Sequence, residues 1–106
     1  MSSESGVGMG TTIKVERLTD DKLKSLGVFF WPIWTKEPST FDWHYDEQER
    51  CYFLEGEVTV TPKDDAVGAT GQSPVHIVKG DFVTFPKGLG CTWHVKKAVR
   101  KHYKFG

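Results

Sequence analysis

A chain of 106 residues and 12.0 kDa has room for one domain. With 38% hydrophobic, 13% aromatic and 26% charged residues the composition is globular, and no apolar run approaches the roughly 20 residues of a membrane-spanning helix. Lys+Arg and Asp+Glu are both 14, which argues against the strongly basic balance of a protein that coats nucleic acid.

Two cysteines are too few for a disulfide scaffold and lack the C-x-x-C spacing of a zinc ribbon. A soluble domain in a reducing, intracellular compartment is expected, with neither membrane nor nucleic acid as a partner. Residues 1–10, rich in Ser and Gly and without an aromatic, read as a flexible tail. They have neither the Arg content of a transit peptide nor the apolar core of a signal peptide, although an import segment removed upstream is compatible with them. Residues 11–106 are read as the single domain.

Residues 12–15 read as a short strand. Thr19 then has the chemistry of a helix N-cap, with Asp20 and Asp21 favouring the helix start. Leu23 and Leu26 supply an apolar face, and Gly27 suits the position just past the helix end. From residue 28 onward, short apolar stretches alternate with Pro, Gly and Asp. Strands are expected at 29–34, 41–45, 49–54, 57–61, 75–78, 81–85, 91–95 and 99–105, with a long polar loop at 63–73. The expected fold is all-β, an antiparallel sandwich or barrel with one small helix.

Period two sorts the side chains. Phe41, Trp43 and Tyr45 share one face, and Asp42, His44 and Asp46 the other. His94 and His102 have the opposite parity to Trp93 and Tyr103 and read as surface residues. The stretch 50–54 is apolar on both faces, so something must cover its outside. A second subunit would do so, making a homodimer the expectation, and the N-terminal strand and helix are the alternative cover. Six acids and one Arg lie between Asp42 and Glu57, while six Lys/Arg and no acid follow Phe82. In an antiparallel sheet such runs can meet as cross-strand or subunit pairs.

Two stretches resemble the cupin signature. Glu49 is followed after six intervening residues by Gly56, as in the first cupin motif. Gly80, Pro86, Gly88 and Cys91 have the spacing of the second motif, with Cys91 at its histidine position. Gly56 suits a tight turn between strands, and Pro86 with Gly88 ends one strand and turns into the next. Closer likeness, through Trp31-Pro32-Ile33-Trp34, Phe41-Asp42-Trp43 and Phe85-Pro86-Lys87-Gly88, is to small single-domain cupins grouped as the "(S)-ureidoglycine aminohydrolase cupin domain". That resemblance implies an RmlC-like antiparallel β-barrel (jelly roll, or double-stranded β-helix) of plant and bacterial type. Some plant members reside in plastids, so cytoplasm and plastid both stay open.

The departures bear on chemistry. The two first-motif histidines fall on Trp43 and Tyr45, the second-motif histidine on Cys91, and its terminal asparagine on Val95. Of the metal set of three histidines and a glutamate that the resemblance implies, only Glu49 is kept. Strand parity places Trp43, Tyr45, Glu49, Cys51, Cys91 and Trp93 in one lumen: a carboxylate and two thiols within an aromatic wall. A competing register puts Asp42 and His44 beside Glu49 as ligands. It would expose three aromatics and bury polar groups, the costlier arrangement unless a metal compensates.

The leading reading is a cupin that binds a small polar or amine-bearing molecule, the metal histidines being lost. Were it catalytic, Glu49 would be the acid/base and Cys91 or Cys51 the polarising or redox group. The alternative is a metal-dependent enzyme resembling the ureidoglycine aminohydrolases, with Glu49, Cys51, Cys91 and Tyr45, or Asp42, His44 and Glu49, as ligands. Soft thiolates would then favour zinc or iron. A third reading is a non-enzymatic interaction module within a larger complex. Lys87, in a loop at the barrel mouth, reads as solvated, with an anionic ligand as its sharper role.

Overall fold

Two long paired strands organise the molecule. The computed structural model describes residues 12–63 and 73–106, so the expected tail at 1–10 and most of the loop at 63–73 lie outside the described residues. The elements are β1 (Lys14–Glu16), α1 (Asp20–Leu26), a 3-10 turn (Val28–Phe30), β2 (Ile33–Lys36), β3 (Ser39–His44), β4 (Glu49–Pro62), β5 (Val75–Val78), β6 (Phe82–Phe85) and β7 (Gly90–Phe105). Strands β4 and β7 pair antiparallel along most of their length. β6 and β5 flank the first and second halves of β4, while β3 and β2 flank the first and second halves of β7. With β1 outside β6, all seven strands form one antiparallel sheet. The sheet bends around an interior that includes Phe53, Val58, Val60, Phe85 and Trp93.

The helix forms where its caps predict. The Thr19 side chain accepts a hydrogen bond from the Lys22 N–H, and Gly27 stands at φ 75°, past the last turn. The strand expected at 29–34 begins only at Ile33. The chain leaves Gly27 directly into the 3-10 turn, and Trp31, preceding Pro32, is extended.

Gly56 does not make a hairpin turn. The stretches 49–54 and 57–61 are one bent strand, as are 91–95 and 99–105. Pairing of β4 with β7 shifts register on both sides of Gly56, with Glu55 opposite Arg100 and Glu57 opposite Lys97. Such bulges bend a strand without reversing it. The acidic and basic runs meet there as cross-strand pairs, Glu57 to Lys97 at 3.8 Å and Glu55 to Arg100 at 3.9 Å.

The outer face of β4 and β6 is covered from within the chain. Leu23, Val28, Trp31 and Phe82 form a second cluster, with Leu18, Leu26 and Tyr52 packed against it. Of the two covers considered for the stretch 50–54, the N-terminal one is present, and the helix and 3-10 turn supply it. The same cover corrects the reading of His102, which is 7% exposed. Its ring meets Phe29 edge-on, and its Nδ1–H donates to the Trp31 carbonyl at 2.8 Å. His94 is exposed, as expected.

Candidate functional site

Along β4, Glu49, Cys51 and Phe53 point inward; along β7, Cys91, Trp93 and Val95 do so before the bulge, and Val99 and Lys101 after it. These faces enclose a cavity of about 180 Å³. Trp34, Phe41, Tyr45 and Trp93 wall it, and Glu49 and Lys101 supply its charged groups. Phe41 stacks on Trp93 at 5.9 Å and Tyr45 on Phe85 at 4.8 Å, so the wall is fixed by ring-on-ring packing. Trp43 and Phe105, each about half exposed, stand where the cavity meets solvent.

Lys101 is the residue that the sequence reading missed. It is 3% exposed, and its Nζ donates to Glu49 Oε2 and to Cys51 Sγ, both at 3.2 Å. The rings of Trp93 and Trp34 lie 4.7 and 4.9 Å from the ammonium, with Phe53 and Phe85 at 5.7 Å. Burial alone would depress the lysine pKa. The Cys51 sulfur and the Glu49 carboxylate, both of which accept from it, outweigh burial and hold Lys101 above the ordinary lysine range, so the group is an ammonium at neutral pH.

Of the six lumen residues expected, Trp43, Tyr45, Glu49 and Trp93 line the cavity. Cys51 and Cys91 are fully buried but lie behind its wall. The Cys91 thiol donates to the Trp43 carbonyl at 3.7 Å. Asp42 and His44 face solvent. Asp42 accepts from Lys63 and Thr92, and His44 meets Asp46, so the aromatic-in register is the one adopted. Lys87 is exposed in its loop and is not part of the wall.

Both thiols are held neutral. Burial pushes Cys91 up to about 11 from an ordinary 9.0 and raises Cys51 further. A thiolate is the nucleophile and the metal ligand, so neither sulfur is activated at neutral pH. The linkage has a definite sign. Cys91 stays a thiol in the folded chain up to about pH 11, whereas the unfolded thiol ionises near 9.0. The folded state therefore binds more protons above pH 9, and its stability falls as pH rises from 9 toward 11. Cys51, Tyr45 and Lys101, all raised, act in the same direction. Urea midpoints measured under reductant should decline across that window, and Cys91→Ala should decline less steeply. Parallel curves would mean that Cys91 ionises alike in both states.

The same geometry tests the metal that the cupin resemblance implies. Its retained ligand, Glu49, and the nearer thiol, Cys51, are bridged by the Lys101 ammonium, and Cys91 is a neutral thiol bonded to a carbonyl. Among the described residues no group of three His, Cys, Asp or Glu is arranged to hold a metal ion. A divalent cation would have to displace a buried ammonium. The residues do not fit it.

The family model described as the EutQ-like cupin domain matches residues 23–103. The chain belongs to the EutQ-like cupin family. A DUF861-family protein of Thermotoga maritima is similar to this EutQ-like cupin at 52% identity and TM-score 0.81, over 90% of this chain and 100% of its own. The Clostridium difficile EutQ protein shares the fold at 18% identity and TM-score 0.56, over 88% of this chain and 66% of its own. So does the Drosophila melanogaster CENP-C cupin domain, at 14% identity and TM-score 0.56, over 70% of this chain and 58% of its own. Among curated proteins no match is found. No helix among the described residues is long and apolar enough to cross a membrane.

Proposed function

We propose that this EutQ-like cupin binds a small polar organic molecule in its barrel cavity. The observation that carries the reading is a space of about 180 Å³, walled by aromatic rings and bearing one buried ion pair. Apolar walls with a few fixed polar groups are the usual make-up of a small-molecule site. Benzene fills a cavity of about 150 Å³, so a single ring with one polar substituent is the right scale. The wall is held by stacking, so little ordering cost is left for the binding step.

The indole N–H resonances of Trp34, Trp43 and Trp93 report on the wall in a screen of single-ring and short-chain compounds. Ligands that shift them should bind about tenfold or more weaker to Trp43→Ala, which removes an aromatic contact at the mouth without opening the core. Cys91→Ser, altered behind the wall, should bind as the wild type does. Binding unchanged by Trp43→Ala would place the ligand elsewhere.

A metal-dependent reading akin to the ureidoglycine aminohydrolases has the closer motif resemblance in its favour. Lys101 between Glu49 and Cys51 weighs against it. Stoichiometric zinc or iron in gently purified protein would restore that reading.

A further inference from the structure

The cavity's ion pair also bears on what the ligand's polar end must be. Lys101 carries three N–H donors. One goes to Glu49 Oε2 and one to Cys51 Sγ, and the third has no hydrogen-bond acceptor among the described residues. Glu49 takes the Lys101 bond on Oε2 and also meets the Cys51 thiol, and Oε1 lies outside the Lys101 bond. The cavity therefore presents an ammonium donor beside a carboxylate acceptor, with the unpartnered Trp93 indole N–H as a further donor in the wall, and the two charges cancel.

An ammonium brought to Glu49 would meet the Lys101 ammonium 3.2 Å from Oε2, in a place where four aromatic rings already surround one cation. A carboxylate brought to Lys101 would meet Glu49 in the same way. Both charges are less than a tenth exposed, so little solvent is present to screen the repulsion. A neutral group that donates and accepts through neighbouring atoms meets neither obstacle.

We infer that the cavity selects an uncharged, amide-like ligand: its carbonyl accepts from Lys101 Nζ–H, and its N–H donates to Glu49 Oε1. The inference rests on the proposed cavity-binding function and sharpens it: of the small polar or amine-bearing ligands expected from sequence, an amine would bring in a second cation.

Benzamide, benzoate and benzylamine test it, because they share a ring and differ in charge. Each is titrated into the whole protein at pH 7 while the Trp indole N–H resonances are followed. Benzamide should bind with a Kd about tenfold or more below those of both ions. Glu49→Gln leaves the site cationic and should shift the preference to benzoate. Lys101→Met leaves it anionic and should shift the preference to benzylamine. Should either single variant fail to fold, the double variant Glu49→Gln/Lys101→Met, neutral again, should bind the ring without preferring the amide.

Equal or tighter binding of benzoate or benzylamine to the wild type, at the same resonances, overturns the inference and leaves the cavity reading standing. No response to any of the three overturns both.

Discussion

Lys101→Met should cost about 3–5 kcal/mol of folding stability, measured by urea unfolding at pH 7. The substitution roughly conserves volume but leaves the Glu49 carboxylate, 5% exposed, without its cation inside an aromatic wall. Glu49→Gln should cost less. The ammonium keeps the Cys51 sulfur and four rings at 4.7 to 5.7 Å, and the amide oxygen still accepts. Replacing both members of a buried ion pair is often close to neutral, so the double variant should recover most of the loss. That ordering separates a buried ion pair from two independent packing residues, whose costs would add. A double variant no more stable than Lys101→Met alone would mean that the two charges do not depend on each other.

The route from sequence to this site shows which signals are legible. Period-two alternation found the aromatic face of Phe41, Trp43 and Tyr45, because placing three rings in water is costly. Cap chemistry found the helix, because Thr19 and Gly27 act on backbone within one turn of themselves. Lys101 was concealed by its type, since a lysine is almost never fully buried unless paired. The signal is nonetheless present: Lys101 has the same parity as Tyr103, and β7 sets it opposite Phe53, on the inward face that Phe53 shares with Glu49. His102 was misplaced for a different reason. Its parity does turn it away from the lumen, but the face it points to is roofed by the 3-10 turn, a contact between distant segments. The thiols followed parity into the interior, yet parity does not say which interior residues border the empty space. Cys51 is screened by Lys101, and Cys91 is turned to the Trp43 carbonyl.

Gly56 offers the test of how the two long strands hold that site. At φ 109°, a side chain at this position strains the backbone by about 1–3 kcal/mol. An added Cβ would also stand 2.6 Å from the Ala98 carbonyl oxygen and 2.7 Å from Val99 Cα, both backbone atoms that no rotamer change can move. Forcing them apart adds about 1–3 kcal/mol, so Gly56→Ala should lose roughly 2–6 kcal/mol in all. Gly27→Ala is the control. Its φ is 75°, but nothing lies within 4 Å of the added carbon, so only the left-handed backbone penalty of about 1–2 kcal/mol applies. The clash at Gly56 has a second consequence. Val99 is the neighbour displaced, and Lys101 lies two residues further along β7. Where Gly56→Ala still folds, β7 must move away from β4 at the bulge, and Lys101 is drawn off Glu49. The variant should then weaken cavity ligands as well as stability, although Gly56 itself is outside the cavity wall. Equal losses for Gly56→Ala and Gly27→Ala would mean that the strands do not approach closely there, and Lys101 would owe its place to the ion pair alone.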